Sequence, residues 1–133
     1  MEHLICLKKN YNSLEDLLTG KKTMIVLASY GKIFPVEKMH MGDQVYFTDN
    51  SNPTIIKGSA VISNMLCLSE VSLEEAGVIL AGNRDKLRLS KEGFRKVIGK
   101  KYIVLIEFSK ITSVDPLEIV SKGQLASWTV IYS

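Results

Sequence analysis

Chemistry-bearing residues are scarce in this sequence. Its 133 residues hold two cysteines, two histidines, one tryptophan and three prolines. Cys6 and Cys67 each lie inside an apolar run, Leu4 to Leu7 and Met65 to Leu68. With no C-x-x-C and no Cys/His cluster, the common zinc arrangements are excluded and no metal is expected. Both thiols are read as buried and reduced, since a free cysteine behaves as a small hydrophobe; the sequence leaves open a disulfide between them. His3 and His40 stand alone and are read as surface or turn residues. A His-driven nucleophilic triad therefore lacks its base. There is also no nucleophile elbow, Walker A loop, metalloprotease helix motif or dinucleotide fingerprint, so no cofactor is expected. The apolar stretches are strand-sized, well short of the roughly 20 residues of a spanning helix. The N-terminus lacks a basic leader region, and Lys8 and Lys9 end its apolar stretch, so no signal peptide is predicted. The expected location is the cytoplasm.

What is present describes a globular domain. The apolar fraction is 46% and the charged fraction 23%, enough for a packed core. Length predicts one domain over residues 1–133, and no repeat, low-complexity tract or linker divides it. The net charge of +3 is unevenly spread. Residues 81–101 hold Arg84, Lys86, Arg88, Lys91, Arg95, Lys96, Lys100 and Lys101 against Asp85 and Glu92 alone. The rest of the chain is net acidic. A local cationic field of this kind recruits phosphates, or is simply a solvated face.

Patterning predicts the elements in order. His3 to Leu7 reads as a strand. Ser13 with Asp16 resembles a capping box, opening a helix whose stripe is Leu14, Leu17 and Leu18 and which Gly20 ends. Thr23 to Ala28 is a strand apolar on both faces. Tyr30 to Met41 is irregular, Gly42-Asp43 a turn, Gln44 to Thr48 a strand, and Asp49 to Pro53 a turn. Thr54 to Leu66 alternates: Ile56, Gly58, Ala60 and Ile62 share one face, Lys57, Ser59 and Ser63 the other. Small inward residues let a strand bend as a small barrel requires. Ser72 with Glu75 caps a second helix, with Leu73, Ala76, Gly77 and Leu80 on its apolar side. Ser90 starts a third, with Phe94, Val97 and Ile98 inward and Lys91 and Arg95 outward. Tyr102 to Phe108 is a strand with apolar residues on both sides, broken only by Glu107; Asp115-Pro116 is a turn, and Leu117 to Val120 and Ser127 to Tyr132 are the last strands. The prediction is an α+β domain: a closed or half-closed sheet of about six strands with two or three short flanking helices.

Gly20-Lys21-Lys22-Thr23 places two cations and a hydroxyl at one edge of the sheet. It can hold a phosphate or a base edge, or serve only as a helix C-cap. Together with Gly42 to Phe47, Ile56 to Ile62 and the strand from Tyr102 to Phe108, this turn resembles the ASCH/PUA-like superfamily over roughly residues 12–120. The Arg84 to Ile98 segment resembles archaeal PUA-like proteins. The resemblance implies a small β-barrel with a cleft beside the turn and a role in RNA binding. Some ASCH proteins are amidohydrolases of modified nucleosides, which would make Lys22 a base and Thr23 its assistant. In that enzymatic pattern a polar residue and then an arginine follow the turn; Ile25 and Leu27 stand at those positions. Such a lysine needs a partner carboxylate, for which Glu70 and Glu74 are the candidates.

The reading that results is a module for RNA or a nucleotide-sized ligand. Lys21, Lys22 and Thr23 would line the cleft. Arg84, Arg88, Lys91 and Arg95 would meet phosphates, and Trp128 would stack on a base or pack the barrel end. Tyr30 and Tyr46 are lesser stacking candidates. The alternatives are the amidohydrolase and a protein-interaction domain whose basic face meets an acidic partner.

Overall fold

A computed structural model of the chain describes residues 2–7, 13–30 and 38–118, and residues 128–131 as a backbone strand. Its elements run β1 (Glu2–Leu7), α1 (Leu14–Leu18), β2 (Met24–Ser29), β3 (Gln44–Asp49), β4 (Ile55–Leu68), α2 (Leu73–Gly82), α3 (Arg84–Leu87), α4 (Lys91–Ile98), β5 (Tyr102–Glu118) and β6 (Trp128–Ile131). Three helices begin where a serine can accept an orphan backbone N–H. Ser13 accepts from Asp16, Ser72 from Glu75 and Ser90 from Gly93. Gly20, at φ +81, supplies the left-handed residue after α1. The structure adds α3, a single turn that the expected two or three helices did not include.

The six strands form one mixed sheet in the order β2-β5-β4-β3-β1-β6. Only β1 and β3 run parallel. The sheet is barrel-like but not closed, with β2 and β6 as its edges. Its curvature comes from β4 and β5, the two longest strands, whose register shifts at three places. One shift leaves Lys110, at φ +52, in the left-handed region. Another falls between the pairs Gly58↔Ser113 and Ile56↔Leu117 and contains Asp115 and Pro116. The expected turn at these two residues is therefore a bulge inside β5, where a proline removes no ladder hydrogen bond. The expected strand from Leu117 to Val120 begins as the end of β5; residues 119 and 120 lie outside the described residues, as does the irregular stretch 31–37.

Strand β4 shows the predicted alternation. Ile56, Gly58, Ala60 and Ile62 are buried, while Lys57 and Ser59 are half-buried and Ser63 is exposed. The strands read as apolar on both faces, β2 and the first half of β5, divide the apolar interior in two. On one side Ile25, Leu27, Val104, Ile106 and Phe108 join Ile5, Leu7, Leu14, Leu17, Val45 and Phe47 inside the curved sheet. There Phe47 meets Phe108 edge-to-face at 5.1 Å. On the other side Met24, Val26, Ile103 and Leu105 meet Ala76, Leu80, Leu87 and Val97 of the helices. Leu73 departs from its expected place on the apolar side of α2 and is exposed.

The two cysteines are also placed differently than expected. Both are free, but Cys67 is exposed and Cys6 half-buried, with its Sγ 3.5 Å from Asn50 Oδ1. Cys67 lies in the part of β4 beyond Ile62, where most side chains reach solvent. His3 is the larger correction. It is fully buried, and its Nε2 lies 2.8 Å from Asp43 Oδ2. The same carboxylate oxygen accepts the His40 backbone N–H at 2.9 Å, so Asp43 ties β1 to the Gly42 turn. His40 itself is exposed, as read.

Candidate functional site

The Gly-Lys-Lys-Thr turn carries α1 into β2. Lys21 is exposed, Lys22 is 2% exposed and Thr23 is half-buried. The turn is pinned by its backbone. Lys22 N–H donates to the Asp16 carbonyl at 3.1 Å, Thr23 N–H to the Lys86 carbonyl at 3.1 Å, and Phe108 N–H to the Thr23 carbonyl at 2.9 Å. Burial pushes the Lys22 ammonium down to about 8, against the opposing pull of the Asp16 charge. Asp16, rather than Glu70 or Glu74, is thus the carboxylate acting on Lys22; both glutamates are exposed. Ile25 and Leu27 fill the interior of the curved sheet. Their side chains leave that wall apolar where the enzymatic ASCH pattern has a polar residue and an arginine.

Four of the expected contact residues belong to the helical cap. Arg84, Arg88, Lys91 and Arg95 are all exposed. Arg84, Lys91 and Arg95 line one cavity of about 520 Å³, walled by Leu80, Leu87, Leu89 and Phe94. Arg88 closes α3 in the left-handed conformation, φ 52 and ψ 42, with its N–H on the Arg84 carbonyl.

Three of the segment's eight basic residues have intramolecular partners. Lys86 Nζ lies 3.0 Å from Glu107 Oε2, Lys96 Nζ is 3.5 Å from Glu92 Oε1, and Lys100 Nζ sits 4.2 Å above the Tyr30 ring. Among the described residues, Arg84, Arg88, Lys91, Arg95 and Lys101 form no ion pair. Asp85, one of the two acids of the segment, is exposed and pairs with none of them.

The aromatic candidates are placed as follows. Tyr30 is the ring under Lys100. Tyr46 donates its hydroxyl to Glu2 Oε1 at 3.4 Å; burial, then the Glu2 charge and this hydrogen bond, push the phenol up. Trp128 opens β6 and pairs in register with Ile5; its side chain lies outside the described residues. The structure thus joins Lys21, Lys22 and Thr23 in one turn and Arg84, Lys91 and Arg95 around one cavity. The Thr23–Lys86 hydrogen bond links the two groups.

Sequence reasoning missed the burial of Lys22 and the cavity itself. For the cavity a signal existed: Leu87 and Leu89 flank Arg88, and α4 sets Phe94 beside Arg95, so apolar and cationic residues alternate through one short stretch.

No family model matches the chain, and no curated protein matches it in sequence. Among solved structures, ASCH from Zymomonas mobilis superposes with a TM-score of 0.74 at 13% identity, over 98% of this chain and 87% of that chain. A serine-to-alanine mutant of the same protein gives 0.67 at 13% identity, over 89% and 74%. The chain has an ASCH/PUA-like fold. In this ASCH-type scaffold the Gly-Lys-Lys-Thr turn starts the edge strand β2, and the helical cap covers the outer face of that strand through α3 and α4. Among the described residues, no helix is long and apolar enough to cross a membrane, and no group of three or more His, Cys, Asp or Glu side chains is placed to hold a metal ion.

Proposed function

We propose that this chain is a binding module for RNA or a nucleotide-sized ligand, with Arg84, Arg88, Lys91 and Arg95 as its phosphate-contacting groups. The observation that carries this reading is the division of the basic segment. Lys86, Lys96 and Lys100 are spent on intramolecular partners, while these four, like Lys101, stay exposed and form no ion pair among the described residues. Exposed cations cost nothing to desolvate in the free protein and release condensed counterions when they meet phosphates. Such contacts give affinity and register without reading sequence. Lys21, exposed beside the turn that is tied to α3, extends the same field. Lys22 and Thr23 complete the cleft, Lys22 acting from beneath the surface, and Trp128 is the candidate stacking residue.

The test is a titration with a mixed RNA pool, single-stranded and structured, across a salt series. The protein is compared with a variant carrying Arg84→Gln, Arg88→Gln, Lys91→Gln and Arg95→Gln. Each lost phosphate contact lowers the salt slope by about 0.7 for a single strand, so the variant's slope falls by about 3. Absence of binding at any salt, or an unchanged slope in the variant, refutes the reading. Binding of an acidic protein instead would favour the interaction-domain alternative.

One observation favours the amidohydrolase alternative. A lysine brought down to about 8 is near the range in which it can serve as a general base at neutral pH. With Lys22 as base and Thr23 assisting, Lys22→Ala would abolish hydrolysis of an N-acylated nucleoside while the far-UV circular dichroism stays native. Unchanged turnover in that variant disposes of the alternative.

A further inference from the structure

The cavity between α2, α3 and α4 has a chemistry that phosphate contacts alone do not require. Its walls are Leu80, Leu87, Leu89 and Phe94, and its volume of about 520 Å³ falls within the roughly 300–1,000 Å³ of small-molecule sites. Three cations line it and no acidic side chain does. The single neutral hydroxyl, Ser90, already accepts the Gly93 N–H as the cap of α4. A polar, many-edged ligand such as a nucleobase would bury donors and acceptors against leucines and lose its hydrogen bonds to water. A neutral hydrocarbon would leave the three cations unused. The lining is complementary to a ligand that is apolar along its body and negative at one end.

We infer that this cavity binds a small amphipathic organic anion. The apolar or aromatic body lies against Leu80, Leu87, Leu89 and Phe94, and one carboxylate or phosphate head meets Arg84, Lys91 and Arg95. The guanidinium groups suit such a head because they offer a fork of paired donors that two oxygens of a carboxylate or a phosphate can accept. Arg84 and Arg95 come from different helices, α3 and α4, so a bound head would join the two.

The experiment is isothermal titration of the full chain, free of RNA, with three probes: decanoate below its micellar concentration, decanol and inorganic phosphate. Decanoate is expected to bind saturably at one site. Decanol, with the same body and no charge, should bind at least about tenfold more weakly, and phosphate alone should not saturate. Ala81→Phe, at an exposed α2 position that lines the cavity, fills the space without removing a cation and should abolish decanoate binding. Arg84→Gln, Lys91→Gln and Arg95→Gln together, all at solvent-exposed positions, should bring decanoate down to the affinity of decanol. The inference fails if decanoate does not bind, if decanol binds equally well, or if both variants bind decanoate like the native chain. Because no RNA is present, a failed RNA titration leaves this result standing, and the reverse also holds.

Discussion

Leu18 of α1 occupies the space that a side chain at position 58 would need. A Cβ built on Gly58 would lie 2.8 Å from Leu18 Cδ2 and 3.4 Å from the Thr112 carbonyl oxygen. The glycine in the alternating face of β4 therefore admits a helix to the concave side of the sheet. Gly58→Val is expected to destabilise the fold by about 2 kcal/mol through overpacking. Adding Leu18→Ala should recover part of that loss, because the two changes share one volume. Denaturant midpoints of the two single variants and the double variant measure the coupling; strict additivity would show that the contact does not matter.

The buried His3–Asp43 pair predicts acid sensitivity. Burial pushes the Asp43 carboxyl up, but the hydrogen bonds from His3 and from the His40 backbone, together with nearby positive charge, hold the group below its ordinary value of 3.8. A carboxylate depressed in the fold contributes stability above its unfolded value and loses it as pH falls through the folded value. Asp43→Asn should therefore cost about 1–3 kcal/mol at neutral pH. Its disadvantage should shrink as the pH is taken below about 4. Urea melts at pH 7 and pH 3 give the comparison, and a gap of the same size at both would contradict the assignment.

Lys22 has the opposite sign. Its folded value near 8 lies below the ordinary 10.5, so the fold disfavours the protonated form. That cost is complete below pH 8 and disappears as the pH rises to 10.5, giving a gain of up to about 3 kcal/mol. Lys22→Met has no proton to lose. The stability of the native chain relative to this variant should climb across that window. A flat difference between pH 7 and pH 10 would mean that Lys22 titrates as an exposed lysine.

Arg88 sets stability against binding. Its left-handed backbone at φ 52 is strained for a residue with a Cβ. Arg88→Gly should stabilise by about 0.5–1 kcal/mol while removing one phosphate contact. A higher melting temperature with a lower RNA affinity is the expected pairing; a lower melting temperature would mean that the arginine side chain holds the cap together.

Much of the fold was legible because it follows from local chemistry. The three serine caps lie where Ser13, Ser72 and Ser90 precede apolar periodicity, and β4 buries the face that its small and branched residues mark. The double-sided apolar runs in β2 and β5 correctly signalled burial on both faces. Most of the errors concern surroundings that the folded chain sets and local sequence does not. His3 reads as isolated because Asp43 lies forty residues away. Its alternation with Ile5 and Leu7, both buried, was the available signal. Lys22 reads as a capping lysine because the enclosure that leaves it 2% exposed has no local signature. Asp115-Pro116 reads as a turn because a bulge and a turn use the same residues, and only the register of β4 tells them apart. Of the candidate site, the charge excess was legible and its division was not, since Glu107 and Tyr30 are remote from the lysines they engage.

The shared wall made by β2 and β5 has a consequence for how the molecule comes apart. Each strand contributes alternate side chains to the two apolar compartments, so removing the helices would strip solvent protection from the same backbone that holds the curved sheet. The cap and the sheet cannot melt separately at low cost. The amide proton of Leu105, whose side chain faces the cap, should exchange with deuterium as slowly as that of Ile106, whose side chain faces the other way.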